Sequence, residues 1–189
     1  MSDAVSALNG AEYKGAVTVT ERGLAGMVTV RGDLSSAALA AAIQDVIGTD
    51  VPGRRRIEVA GDHAAAWMSP DELLLMMPYA AAPQAAAKIA EALAGEAALV
   101  VNVSDARALF RIEGPGVRDV LAKGAPVDLS PGAFGAGEIR RTRIGQVAAA
   151  FWLTGADSFD IVCFRSVAEY VFDWLSTGAA EDSLPGWYA

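Results

Sequence analysis

The first half of the chain shows a strand-like and then a helix-like hydrophobic pattern. Residues 27–30 form an apolar, β-branched run that ends at Gly32, which predicts a strand followed by a turn. After Ser35, apolar side chains recur on one helical face, and Gly48 follows where a helix would end. The predicted core-facing positions of this helix are Leu39, Ile43, Val46 and Ile47.

Three extended segments follow the break at residues 51–53, and a Ser-Pro-Asp turn joins the last two. The alanine-rich stretch 82–94 then carries Ile89 and Leu93 four residues apart, as one face of a helix requires. Gly95 lies where such a helix would stop. The apolar run LVVNV closes this half as a strand.

The second half repeats this order. Apolar and charged residues alternate in ALFRIEG, which predicts a strand with one solvated face. A helix should follow the GPG turn, with Pro115 in its first turn and Gly124 as a left-handed residue at its end. Three further strand-like segments and a closing helix complete the half, and Ser166 with Glu169 fits a capping box at the start of that helix.

Landmarks in the two halves keep a nearly constant spacing. Gly32 and Gly114 lie 82 residues apart, and Trp67 and Trp152 lie 85 apart. The shared order predicts an internal duplication. Because the connections between the central strands are too short to hold a helix, antiparallel pairing is favoured over a doubly wound parallel sheet.

The predicted fold class is therefore α+β, with duplicated strand-helix-strand-strand-helix halves and antiparallel sheets that carry helices on one face. Both halves are expected to share one globular domain. The predicted parts are a polar N-terminal lead (1–22), a first half (23–104), a second half (105–178) and a C-terminal docking tail (179–189).

Composition narrows the function classes. The chain has 189 residues and a net charge of -8, which disfavours a nucleic-acid surface because phosphates would be repelled. One cysteine and one histidine cannot supply an ordinary zinc site. The sequence lacks a basic-apolar leader and a membrane-spanning apolar run, so a cytoplasmic protein without membrane contact is predicted.

The glycine-rich stretch RIEGPGVRDVLAKG raises the question of a phosphate cradle. A helix start can bind an anion through its N–H groups, but a P-loop requires a lysine and a hydroxyl residue directly after the last glycine. Val117 and Arg118 stand there instead. The favoured interpretation is a strand-to-helix corner, and a phosphate-binding turn is the weaker alternative.

Isolated reactive residues give little sign of catalysis. His63 lies near a predicted turn and is interpreted as a surface histidine, although it could act as a general base. Cys163 lies in an apolar strand and is expected to be buried and inert. Two acidic pairs are interpreted as solvated turn formers at hairpin tips: Asp71 with Glu72, and Asp157 with Asp160.

Two arginine clusters recur at similar places in the two halves. They could hold a carboxylate-bearing ligand or an acidic partner, or they could protect strand edges from aggregation. The tail also carries large apolar residues, which commonly dock onto a surface. The candidate partner or anion contacts are Arg54, Arg55, Arg56, Arg140, Arg141, Arg143, Trp187 and Tyr188.

Five segments carry a family resemblance: MVTVRGDL, WMSPDELLL, NVSDARALFRIEGPGVRDVLAKGAPVDLSP, AFGAGEIRRTRIGQVAAAFW and FDIVCFRSVAEYVFDWL. The chain resembles the gamma subunits of bacterial heterotetrameric sarcosine oxidases from about Gly23 to Leu175, most densely between Ser104 and Pro131. The resemblance implies a subunit of a flavoenzyme that oxidatively demethylates sarcosine to glycine, produces hydrogen peroxide and passes the one-carbon unit to tetrahydrofolate.

The resemblance also implies alpha, beta and delta subunits as partners. It assigns FAD, FMN and NAD to the two larger subunits, zinc to the smallest, and no cofactor, metal or catalytic residue to the gamma chain. The fold is similar to the folate-binding region of glycine cleavage system aminomethyltransferases. A standalone folate-binding or aminomethyltransferase-like protein is the alternative, because the arginine clusters would suit the glutamate tail of folate.

Overall fold

The computed structural model describes residues 3–188, which fold into two compact units. The contiguous unit comprises residues 25–104, and the split unit combines residues 3–24 with residues 105–188. The strands are β1 (Glu12–Lys14), β2 (Thr18–Glu21), β3 (Gly26–Arg31), β4 (Ile57–Ala60), β5 (His63–Ser69), β6 (Glu72–Met77), β7 (Leu99–Asn102), β8 (Arg107–Glu113), β9 (Ile139–Ile144), β10 (Val147–Gly155) and β11 (Ser158–Phe164). The α-helices are α1 (Ala37–Ile47), α2 (Ala82–Ala92), α3 (Val117–Ala122) and α4 (Ala168–Gly178).

The contiguous unit is a five-stranded antiparallel sheet in the order β4-β5-β6-β3-β7. Alternate strand residues such as Val28, Val30 and Leu75 pack with both helices in one aliphatic core, so α1 and α2 cover the same sheet face. The helix residues buried in this core are Leu39, Ala42, Ile43, Ile47, Ala82, Ala85 and Ile89. The predicted α+β arrangement, with helices on one face of an antiparallel sheet, is confirmed here.

Helix α1 begins and ends as its sequence predicts. The Ser36 hydroxyl accepts hydrogen bonds from the backbone N–H groups of Ala38 and Leu39, each at 3.2 Å. Gly48 has a φ of 79° and donates its N–H to the carbonyl of Gln44. A side-chain cap at the start and a left-handed glycine at the end satisfy groups that an isolated helix leaves unpaired.

The split unit is a six-stranded antiparallel sheet in the order β1-β2-β8-β11-β10-β9. Its helices α3 and α4 contribute Val117, Val120, Val171 and Leu175 to one core with alternate residues of β8, β10 and β11. Strand β2, which comes from the beginning of the chain, occupies the place beside β8 that β7 occupies beside β3 in the contiguous unit.

The polar lead, residues 1–22, thus contains two strands that its pattern did not indicate. Both strands are short, and β2 alternates buried Val19 with threonines. Glu21 is buried, and its carboxylate accepts hydrogen bonds from the Ser6 hydroxyl at 2.8 Å and from the N–H groups of Leu8 and Gly10 at 3.1 and 2.7 Å. These bonds hold the segment before β1 against the sheet.

Helix α3 differs from its prediction at both ends. It starts at Val117 after Gly116, so Pro115 lies before the helix rather than in its first turn. The helix ends at Ala122 with Lys123 as its C-cap, and Gly124 is not left-handed. Its lack of a side chain is required by packing, since a Cβ there would overlap the indole ring of Trp174.

The predicted capping box at the start of α4 is also wrong. Ser166 lies in a 3-10 turn spanning Arg165–Val167, and α4 begins at Ala168 without a side-chain cap. The turn already directs the chain into the helix and displaces the serine from the capping position.

A long loop, residues 123–138, packs on the core of the split unit. Its residue Phe134 is fully buried, with ring centroids 5.7 Å from Phe151 and 5.5 Å from Phe159. The Arg118 guanidinium donates through Nη1 to the carbonyls of Leu129 at 2.6 Å and Phe134 at 3.1 Å. One cation therefore fixes two points of the loop over the core.

The central hairpins preserve a detail of the duplication. The pairing of β5 with β6 shifts register between Trp67 and Ser69, and that of β10 with β11 shifts between Leu153 and Gly155. A bulge at the matching place in each hairpin supports the predicted internal repeat.

Candidate functional site

Two acidic residues expected at solvated hairpin tips lie inside the sheets. Glu72 and Asp160 are 5% and 7% exposed. Glu72 pairs with Arg31 across β3 and β6 at 2.7 Å, and Asp160 pairs with Arg111 across β8 and β11. The turn interpretation is wrong for these two residues, because Glu72 begins β6 and Asp160 lies inside β11, where the register places each carboxylate opposite an arginine.

The Arg111–Asp160 pair is bidentate. Nε donates to Oδ1 at 2.6 Å and Nη2 donates to Oδ2 at 2.9 Å. Hydrogen bonding to Asp160 raises the pKa of Arg111, so the guanidinium stays charged. A carboxylate held by both oxygens is a structural group in this protein rather than a free acid or base.

Asp71 and Asp157, the other members of the acidic pairs, are exposed, as predicted. The Ser69 hydroxyl donates to Asp71, and the Gly114 N–H donates to the carbonyl of Asp157 at 2.9 Å. Both aspartates therefore belong to ordinary turns.

The lone thiol and the lone imidazole have different surroundings. Cys163 is 1% exposed, so its predicted burial is confirmed, and burial raises the pKa of its thiol to about 12. His63 opens β5 rather than lying in a loop, and its Nδ1 is 2.7 Å from Oδ1 of Asp62. Its side chain is half-buried.

The GPG turn is the predicted corner. Gly114 and Gly116 have φ angles of 128° and 91°, which suit glycine and disfavour other residues. Leu184 of the tail packs over Gly116. The glycines therefore reverse the chain between β8 and α3 beneath a hydrophobic side chain.

The two arginine clusters occupy different register positions. Arg54 and Arg55 lie in the turn before β4, and the carbonyl of Arg56 accepts the Trp67 N–H at 3.0 Å. In the split unit, Trp152 is the landmark that was matched with Trp67, and the residue opposite it is Ile139 rather than an arginine. Both clusters therefore lie at an edge strand of their sheet or just before it, but not at matching register positions.

Within the second cluster, Arg140 is engaged in the fold. Its Nη2 lies 3.1 Å from Glu138, and its guanidinium stacks 5.0 Å from the Phe134 ring centroid. Arg141 and Arg143 are exposed along β9, as are Arg54, Arg55 and Arg56 near β4. A role for either cluster in partner or anion contact stays a prediction.

The tail is divided between packing and exposure. Leu184 and Tyr188 pack against the core of the split unit. Trp187 is 81% exposed, although its backbone N–H donates to Oδ1 of the buried Asp119 at 3.1 Å. The predicted docking residues thus separate into one that packs within the chain, Tyr188, and one that faces outward, Trp187.

A groove of about 510 Å³ lies along α4 in the split unit. Lys123 forms part of its wall, and partial desolvation lowers the pKa of this amine. Sequence reasoning did not identify this groove, although its α4 residues recur at helical spacing. The lining residues are Lys123, Tyr170, Asp173, Trp174, Thr177 and Gly178.

Lys123 joins the groove to the tail. Its Nζ donates to the carbonyl of Gly178 at 2.7 Å and to the hydroxyl of Ser183 at 3.0 Å. The groove, the ordered tail and exposed Trp187 are called the tail face below. This face combines aromatic, cationic and acidic groups, which suits recognition of a protein surface.

Residues 3–188 also bear on metal binding and on membrane insertion. Within that range, no three His, Cys, Asp or Glu side chains lie close enough together to hold a metal ion. The helices described there are too short or too polar to cross a membrane.

Comparison with known proteins identifies one family. Residues 31–181 match the model of the "Sarcosine oxidase, gamma subunit family". A curated sarcosine oxidase subunit gamma from an Arthrobacter species is 33% identical over 177 residues, which cover 90% of this chain and 84% of that relative.

Solved structures agree with the sequence comparison. A chain of the heterotetrameric sarcosine oxidase of Corynebacterium sp. U-96, solved in complex with pyrrole 2-carboxylate, superposes with a TM-score of 0.80 at 30% identity, covering 91% of this chain and 89% of that one. Glycine cleavage system aminomethyltransferase T from Bartonella henselae gives a TM-score of 0.61 at 13% identity, covering 86% of this chain and 46% of that one. The second likeness shows a shared fold.

Proposed function

The chain belongs to the sarcosine oxidase gamma subunit family, and from that premise we propose that it is the gamma subunit of a heterotetrameric sarcosine oxidase. The observation that carries the proposal is the match to a chain of such a complex, which covers about nine-tenths of both chains. Coverage of this extent, together with the 30% identity, supports a subunit of the same kind.

The complex is an oxidoreductase. In this proposal it oxidatively demethylates sarcosine to glycine, reduces oxygen to hydrogen peroxide and transfers the one-carbon unit to tetrahydrofolate. Alpha, beta and delta chains are the partners. The gamma chain packs against the larger subunits and helps hold their flavin and folate sites in register.

The gamma chain itself is noncatalytic in this proposal. Support comes from the states of its candidate groups: the Cys163 thiol is buried with its pKa raised to about 12, and the Asp160 carboxylate is bound by both oxygens to Arg111. A nucleophile or general base needs an accessible, suitably ionised atom. FAD, FMN, NAD and zinc are assigned to the other subunits, and the complex to the cytoplasm.

The alternative of a standalone folate-binding protein has weaker support. The likeness to aminomethyltransferase T shows the fold alone, and a fold does not specify a ligand. Calorimetric titration of the isolated chain with tetrahydrofolate separates the two functions. Heat from saturable binding would favour the folate protein, whereas the gamma-subunit proposal expects none at millimolar ligand.

Co-expression tests the proposed function. The chain is produced with the alpha, beta and delta subunits, and the product is examined by native mass spectrometry. A stable heterotetramer containing one copy of this chain is expected. A parallel preparation without the chain shows whether the remaining subunits assemble and turn over sarcosine. If this chain stays monomeric beside the assembled partners, the proposal fails.

A further inference from the structure

The last described residues of the chain are fixed in place by several bonds. The Ser183 hydroxyl donates within the turn after α4 and accepts from Lys123 at 3.0 Å. Leu184 packs over Gly116, and the N–H of Trp187 binds the Asp119 carboxylate at 3.1 Å. Asp119 is only 2% exposed, so this last contact is made to a rigid part of α3.

This anchoring presents one large apolar side chain to solvent. Trp187 is 81% exposed, the highest value among the exposed large hydrophobic residues described, while its neighbour Tyr188 packs against the core. A tail that merely packed on its own unit would gain most by burying the indole, since tryptophan buries a large apolar area. In this tail the Trp187 backbone is bonded to Asp119, and its indole ring projects into solvent.

We propose that Trp187 is an anchor residue that inserts into an apolar socket on another subunit of the sarcosine oxidase complex. This inference rests on the proposed function, because it requires that the chain assembles with partners. Tryptophan is enriched among residues that dominate binding energy, and a pre-ordered tail loses little conformational entropy on docking. The groove joined to the tail through Lys123 extends the same face.

The negative charge around Trp187 favours a different subunit, rather than a second copy of this chain, as the protein that receives the indole. The segment before Trp187 carries exposed Glu181 and Asp182, and the whole chain has a net charge of -8. Two tail faces brought together would repel each other. A socket with apolar walls and a basic rim is the complementary surface.

The inference is tested on the co-expressed heterotetramer by dilution, with intact complex counted by mass photometry. Trp187→Ala should raise the apparent dissociation constant of this chain by about 30-fold, the effect of losing a strong anchor. Trp187→Phe, which keeps an aromatic ring, should recover most of that loss. Val59→Ala removes apolar surface at a residue that is 64% exposed in the contiguous unit, and should leave the constant within about twofold.

Circular dichroism of the isolated variants provides a folding control. Both Trp187 variants should melt within about 2 °C of the original chain, because an exposed side chain contributes little to folding. If the original chain does not assemble at all, the proposed function fails and this inference fails with it. If the original chain assembles, and the heterotetramer with Trp187→Ala dissociates at the same concentrations as the original heterotetramer, only this inference is overturned. Trp187-dependent dimerisation of the isolated chain would overturn it as well.

Discussion

The two units arrange similar elements around chemically different cores. The contiguous unit buries aliphatic side chains and alanines between its sheet and two eleven-residue helices. The split unit buries four phenylalanines, and its first helix has only six residues. The loop residue Phe134 adds a fully buried ring that packs against Phe151 and Phe159 of the sheet. The two units therefore share their strand order and their hairpin bulge. The side chains that pack between the sheet and the helices differ between them.

The largest expected loss of stability comes from removing Phe134, which packs between two other phenylalanines of the split unit. Phe134→Ala should lower the free energy of unfolding by about 3–5 kcal/mol, because the cavity would lie between Phe151 and Phe159. Urea denaturation followed by circular dichroism measures the loss. Phe164→Ala, at a ring that is 46% exposed, is the matched control and should cost about 1 kcal/mol. Equal losses would show that Phe134 has no special place in the core.

The ion pairs provide a second comparison between the units. Asp160→Asn should destabilise the chain by about 2–3 kcal/mol, because the Arg111 side chain it leaves behind is only 24% exposed. Glu72→Gln should cost about 1 kcal/mol, because the Arg31 side chain is 49% exposed and water can replace the lost partner. Denaturant titrations of both variants give the two values. A larger loss for Glu72→Gln would contradict the ranking by burial.

The left-handed glycines at helix ends should respond less strongly. Gly48→Ala is expected to cost about 1 kcal/mol through its backbone conformation alone, since the nearest group to a new Cβ is 3.8 Å away. Gly116→Ala should cost about 1–2 kcal/mol, and its methyl group would also displace Leu184. Limited proteolysis should then cut the tail faster in Gly116→Ala than in Gly48→Ala. Equal tail protection would show that Leu184 adapts in place.

The smallest effect at neutral pH belongs to Cys163, the only thiol in either unit. Its pKa rises from 9.0 to about 12 through burial, so the unfolded chain ionises first as pH increases. Stability is therefore complete below pH 9 and falls towards pH 12, by about 1.4 kcal/mol at pH 10. Cys163→Ala should lose this part of the pH dependence in denaturant titrations between pH 8 and 10. An unchanged slope would show that the thiol does not cause it.

Local patterns were sufficient to predict most elements of the sheets. The nine strands from β3 onward have regular apolar runs or alternation between turn residues, and α1 carries both a serine cap and a terminal glycine. Strand β1 has only three residues, and β2 alternates a single valine with threonines, so neither shows a clear apolar run. Strand β2 is held by pairing with the distant β8, and β1 pairs with β2. The predicted domain boundaries, including one shared domain, stay predictions.

The candidate site was less predictable because it depends on long-range contacts. Glu72 and Asp160 resemble turn residues until the strand register places them opposite arginines. The exposure of Trp187 depends on the buried Asp119, which is 68 residues earlier in the chain. That the tail is a docking segment stays a prediction, and only the fold distinguishes its outward side chain from its packed ones.

The position of β2 beside β8 also has a consequence for biosynthesis. Residues 25–104 are continuous, so the contiguous unit can complete its sheet as soon as it leaves the ribosome. Thr18–Glu21 must wait for a partner that begins at Arg107, 86 residues after Glu21. At about 5–20 residues per second, translation leaves the β8-facing edge of β2 without its partner for roughly 4–17 s. The nascent chain therefore exposes one incomplete strand edge during this interval, and the split unit can complete its sheet only after the contiguous unit has been synthesised.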